Sequence, residues 1–145
     1  MSLWKTQPDL AGIKAANRNT LMATIGIDIT EIGVDYVRGT MPVDARTHQP
    51  YSILHGGASV ALAETLGSYA AMLCCDPDCY AVGLDINANH VRAVAKGIVT
   101  GTARPLHVGR STQVWEIRIE DEAGKLVCIS RLTMAVVPRG PSKSI

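Results

Sequence analysis

No stretch of about 18 apolar residues occurs in this chain, so no membrane-spanning helix is expected. The opening residues, Met1-Ser2-Leu3-Trp4-Lys5, lack a charged segment followed by an apolar run. No secretory signal is therefore read, and a cytoplasmic location is expected. An excess of one charge is missing too. A net charge of +1 leaves no broad basic field, which argues against nucleic acid as a partner. It leaves room for an anionic small molecule held by a few Arg and His side chains. Cysteine is sparse: Cys74, Cys75, Cys79 and Cys128. Cys75 and Cys79 have no second pair to complete a zinc cage, so reduced thiols and no metal site are expected. No internal repeat or low-complexity segment is found.

What is present suits one folded domain over residues 1–145. Hydrophobic residues make up 47% and charged residues 19%, enough for a core and too apolar for disorder. A frayed tail is expected from about residue 138, because 140–145 carry Gly, Pro, Ser and Lys. Near the start, Leu10, Ile13, Lys14 and Asn17 share a turn-spaced stripe after Asp9, which predicts one helix over 8–20. Residues 25–33 and 35–43 read as strands joined at Gly33, and 44–54 as a loop. Residues 56–75 read as a helix of about 20 residues, apolar nearly all round and so expected to be buried.

Four long strands follow, at 80–93, 96–105, 111–121 and 125–137. Trp115, Ile117 and Ile119 alternate with Glu116, Arg118 and Glu120, as in a half-buried strand, and Asp121-Glu122-Ala123-Gly124 reads as a hairpin turn. This order predicts an α+β domain, an antiparallel sheet wrapped around one long central helix.

Glu64 is the one acidic residue in the apolar helix. A carboxylate buried there without a partner would cost several kcal/mol, so a function is indicated, the alternative being a structural bond to nearby backbone. Ser68, four residues on, shares its face and could bond the carboxylate or a water, or simply permit close packing. His55-Gly56-Gly57 precedes them at the helix start, where backbone N–H groups have no internal partner and the helix dipole is positive. That suits an oxyanion hole as well as a plain entry turn. Gln49, extended before Pro50, could donate to a carbonyl or orient water, or simply be solvated as an isolated loop residue.

Gly56 and Glu64 lie about 12 Å apart along one helix, too far to meet at one reacting group. Two antiparallel copies could bring them together, which predicts a two-fold dimer with two shared sites. Asn87-Ala88-Asn89-His90-Val91-Arg92 at a strand end, and Arg104-Pro105-Leu106-His107-Val108-Gly109-Arg110 at a turn, could hold an anion or be ordinary surface.

Taken together, several motifs resemble the hotdog-fold thioesterases of the small aroyl-CoA branch. They are His48-Gln49-Pro50, Leu54-His55-Gly56-Gly57-Ala58-Ser59-Val60, Leu62-Ala63-Glu64-Thr65, the run from Gly83 to Arg92, and Pro105-Leu106-His107-Val108-Gly109. The likeness runs over about residues 10–137. It implies hydrolysis of a small aromatic acyl-CoA, such as 1,4-dihydroxy-2-naphthoyl-CoA or hydroxybenzoyl-CoA, or of a misloaded acyl or aryl carrier protein. Glu64 would be nucleophile or general base. Gly56 N–H would polarise the thioester carbonyl, Gln49 and His55 would position the substrate from the partner subunit, and Ser68 would assist.

Gly83, His90 to Arg92 and His107 to Ser111 would line the CoA channel. The resemblance further implies a homotetramer built as a dimer of dimers, with no metal or cofactor beyond the CoA of the substrate. Gly109-Arg110-Ser111 departs from the expected order Gly-Ser-Arg, and Tyr51-Ser52-Ile53 could touch the acyl group. Two rivals stand beside this reading: a hydratase or dehydratase using His55 and Glu64, and a non-catalytic acyl-CoA binder.

Overall fold

A computed structural model describes residues 2–141. Its elements, in chain order, are α1 (Leu10–Ala16), α2 (Leu21–Ile25), β1 (Asp28–Ile32), β2 (Val37–Val43), α3 (Gly56–Leu73), β3 (Cys79–His90), β4 (Gly97–Val108), β5 (Thr112–Glu120) and β6 (Leu126–Pro138). The six strands form one antiparallel sheet in the order β1-β2-β4-β5-β6-β3. The sheet curls around α3. Leu62, Ala63, Leu66, Ala70 and Ala71 of the helix are fully buried, against Val99, Ala103, Trp115, Ile117, Ile119 and Leu132 of the strands. Each large side chain buried there contributes about 1.5–3 kcal/mol. Close approach of helix to sheet depends on Gly101, where a Cβ would lie 2.7 Å from Leu66 Cδ1.

The expected α+β architecture is thus observed, and the alternation in β5 buries Trp115, Ile117 and Ile119 as expected, with Gln113 buried on the same face. Between β5 and β6, Gly124 takes φ +75° and its N–H bonds to the Asp121 carbonyl, closing the hairpin.

Three expectations are corrected. The helix read over 8–20 is shorter, covering Leu10–Ala16 alone, and a second short helix that was not read follows at Leu21–Ile25. Asp9 caps α1 through Gly12 N–H, but the helix ends at Asn17. Asn19 then takes φ +57°, and Thr20 Oγ1 donates to the Asn17 carbonyl, competing with helical pairing. Residue 25, read as the start of a strand, instead ends this second helix, Gly26 at φ +79° caps it, and β1 begins at Asp28.

The burial of α3 is one-sided. Gly57, Glu64 and Met72 are exposed and Val60, Ala61, Thr65 and Ser68 half-buried, because a helix inside a curled sheet touches it on one flank only. The chain is still paired where the frayed tail was read to begin. Pro138 pairs with Cys79, and Arg139 N–H bonds to the Asp78 carbonyl, while residues 142–145 lie outside the described residues.

The residues before α1 pack against the sheet and the end of α3. Trp4 stacks on Trp115 with ring centroids 6.3 Å apart, and Trp4 Nε1–H donates to the Gly33 carbonyl. Lys5 and Thr6 N–H groups both donate to the Leu73 carbonyl at the end of α3. No helix among the described residues is long and apolar enough to cross a membrane.

Candidate active site

The loop before α3 is built to present the helix start. Thr47 Oγ1 donates to the Pro42 carbonyl, and the Thr47 carbonyl accepts from His55 N–H, so the loop closes on itself. His55 caps the helix with its side chain: Nδ1 accepts the Gly57 N–H at 2.8 Å. Accepting there requires an unprotonated Nδ1. The His55 carbonyl takes the N–H groups of Ala58 and Ser59. Gly56 N–H has no intramolecular acceptor among the described residues and lies at the positive end of an 18-residue helix.

Beside it stands His90, at the end of β3: a Cβ on Gly56 would lie 2.9 Å from His90 Nε2. Glycine at 56 thus makes room for an imidazole. Gln49 lies across the same opening, with its amide oxygen accepting from Tyr51 N–H and its amide nitrogen left to donate. Gln49, Leu54, Gly56, His90, Val91 and Arg92 share one cavity of about 430 Å³.

Glu64 and Ser68 lie on the other side of the chain's chemistry. They line a mostly apolar groove of about 540 Å³ along the open flank of α3, with Val60, Ala61, Tyr69 and Met72, and with Leu21 and Met22 of α2 as its rim. The sequence reading placed Glu64 in a buried wall. In the single chain it is exposed, because it falls on the flank of α3 that the sheet does not cover. Its carboxylate lies against β3 at Gly83, where a Cβ would be 3.0 Å from Glu64 Oε1. Gly83 is therefore beside the acid.

The structure accordingly brings Gln49, Gly56, His90, Val91 and Arg92 together, and Glu64, Ser68 and Gly83 together, but keeps the two groups apart within one chain. It also separates the two anion clusters. The row through His90 runs His90, Cys128, Ile119, whereas the β4–β5 turn pairs through Thr112 and Ala135 to Val82. His107 to Ser111 thus lie at the opposite end of the sheet from His90 to Arg92. In that turn, Gly109 N–H bonds to the Thr112 carbonyl.

Tyr69, Met72, Leu21 and Met22 were not singled out from sequence. The signal was available in α3, since 57, 60, 61, 64, 65, 68, 69 and 72 form one stripe at helical spacing. Burial pushes the Tyr69 phenol above its usual range, which keeps it a donor, and its hydroxyl donates to Asn17 Oδ1 at 2.5 Å. Burial raises the thiols of Cys74, Cys75 and Cys128 as well, that of Cys74 to about 11, so none is a ready nucleophile. Among the described residues no group of three or more His, Cys, Asp or Glu side chains could hold a metal ion.

A carboxylate in an apolar groove and a free helix-start amide form a pair of parts suited to acyl transfer. Comparison with known proteins agrees. Residues 51–128 match the family model described as the thioesterase superfamily. The chain is 47% identical over 135 residues to the 1,4-dihydroxy-2-naphthoyl-CoA hydrolase of Escherichia coli, covering 93% of this chain and 99% of that one. It is 50% identical over 135 residues to the proofreading thioesterase EntH of Cronobacter turicensis, covering 93% and 98%. A crystal structure of a thioesterase from Haemophilus influenzae superposes with a TM-score of 0.93 at 47% identity, covering 98% of this chain and 99% of that one. These likenesses favour thioester hydrolysis over the hydratase and the non-catalytic binder: the chain is a thioester hydrolase and belongs to the thioesterase superfamily, with its hotdog fold.

Proposed function

We propose that the protein hydrolyses a small aromatic acyl-CoA, or the same acyl group on a carrier protein, at sites shared between two chains. The observation that carries this reading is the split of the machinery along β3, with Glu64 beside Gly83 at one end and Gly56 beside His90 at the other. β3 is an edge strand of 12 residues, with Val82 and Leu84 exposed. An open edge of that length invites a partner strand. If two β3 strands pair antiparallel about a two-fold axis near Ile86 and Asn87, each His90 falls opposite the partner's Gly83. Each Gly56 amide then approaches the partner's Glu64. The same operation brings Arg92 to the sheet end that carries the partner's Arg110. Strands lie about 4.8 Å apart, so the two arginines would bracket a channel about 15 Å wide for the CoA arm. A tetramer would pair two such dimers.

In this arrangement Gly56 N–H, with the Gln49 amide, binds the thioester oxygen as it gains charge. The Glu64 carboxylate either attacks the carbonyl carbon, expelling CoA thiolate and leaving a mixed anhydride that water cleaves, or takes a proton from the water that attacks. Ser68, one turn on, orients that water or the carboxylate. Pocket chemistry and the aroyl-CoA relatives support an aromatic acyl group, and no metal is needed for any step.

Complementation between inactive chains tests the shared site. Glu64→Ala chains and Gln49→Ala/Gly56→Ala chains are each expected to release little thiol from benzoyl-CoA. Mixed by unfolding and refolding, they should recover about a quarter of wild-type activity, since half the dimers are mixed and each has one intact site. No recovery would mean that Gly56 and Glu64 act within one chain. Full activity of Glu64→Ala alone would remove the carboxylate from the mechanism.

A further inference from the structure

The groove that holds Glu64 does not end with the aromatic-sized space beside it. A second cavity of about 510 Å³ continues along α3 toward its C-terminus, floored by Ile13, Ala16, Leu73 and Cys75 and rimmed by Asp76 and Arg139. The two spaces meet at Tyr69 and Met72, which line both. Tyr69 is held in place from outside the groove. Its hydroxyl donates to the side chain of Asn17, a residue 7% exposed at the end of α1, and Thr20 Oγ1 in turn ties down the Asn17 carbonyl. The ring is thus fixed across the junction by a bond to the residue that caps α1, the helix whose Ile13 and Ala16 line the second cavity.

Along the helix axis Tyr69 lies about 7.5 Å beyond Glu64, room for a ring-sized acyl group, and Cys75 about 16 Å beyond, room for much more.

We propose that the cavity between α1 and the end of α3 is a second acyl compartment. The Tyr69–Asn17 bond closes it, and it takes the tail of a linear medium-chain acyl thioester when that bond opens. This deepens the reading of Glu64 as the catalytic carboxylate and rests on it. In the resting protein the latch restricts turnover to ring-sized and short acyl groups. Met72, the second residue at the junction, is flexible and exposed and offers no comparable barrier.

The test is the ratio of kcat/KM for octanoyl-CoA to that for benzoyl-CoA, read by thiol release. Tyr69→Ala should raise the ratio about tenfold or more, as each methylene that gains an apolar site adds a factor of about four. Asn17→Ala, which frees the ring without removing it, should raise it by a smaller factor. Ile13→Trp placed on Tyr69→Ala fills the far cavity and should return the ratio toward the wild-type value. An unchanged ratio in Tyr69→Ala, or a gain that survives Ile13→Trp, overturns the compartment. Should Tyr69→Ala fail to fold, as read by its thermal melt, Asn17→Ala decides alone: a rise supports the latch and a flat ratio refutes it. A Glu64→Ala control run beside them separates the two readings. Benzoyl-CoA turnover that survives Glu64→Ala sinks the catalytic assignment, whereas Glu64-dependent turnover with a flat ratio sinks only the compartment.

Discussion

Replacing Gly56 by alanine should slow catalysis while leaving the fold at least as stable as before. The residue does not have the positive φ that would reserve its place for glycine, so the backbone accepts a side chain. Alanine is the better helix former by about 1 kcal/mol in a helix interior, and by less in a first turn. What the methyl group meets is His90: Nε2 at 2.9 Å, Cε1 at 3.1 Å and Cδ2 at 3.3 Å. Unstrained contacts fall at about 3.5–4.0 Å, so the ring must withdraw by about half an ångström or more. His90 is exposed, and that withdrawal costs little. Misplacing an oxyanion site on this scale costs about 10- to 100-fold in kcat. Steady-state thiol release with benzoyl-CoA gives the rate, and a thermal melt gives the stability. His90→Ala should largely restore the rate of Gly56→Ala by removing the clash. A variant with wild-type kcat, or one whose melting point falls by more than a few degrees, would refute the argument.

Two further outcomes follow from the same geometry. Leu84→Asp places a charge on the open β3 edge, where Leu84 is 61% exposed, and should yield monomers by light scattering that fold but release no thiol. Trp4→Ala removes the stack on Trp115 and the bond to Gly33, and should cost about 2–4 kcal/mol in urea unfolding with an unchanged slope.

Local patterns carried much of the fold. Alternation from Thr112 to Glu120 marks β5, Asp9 marks the start of α1, and the proline-free run after His55 marks α3. The break at Asn17 was hidden because Leu10, Ile13 and Asn17 keep helical spacing right up to it, and the competing Thr20 bond is a side-chain event. Exposure of Glu64 was hidden for another reason. Val60 and Ala61 are apolar although they lie on the open flank, so composition alone could not tell a face turned to the sheet from one left for something else. The distance between His90 and His107 follows from sheet order, with β6 and β5 intervening between β3 and β4, and no stretch of residues encodes that. Gly56 and Gly83 could be noticed as glycines, but only contacts reveal that one admits an imidazole and the other a carboxylate.

The pairing of Trp4 with Trp115 has an optical consequence. They are the only two tryptophans in the chain, and they form a single stack. Indole emission from the folded protein, excited at wavelengths tyrosine does not absorb, therefore arises from one coupled pair. Loosening of the leading segment would show as a change in spectral shape and lifetime while the strands stay paired, giving a label-free report on that segment alone.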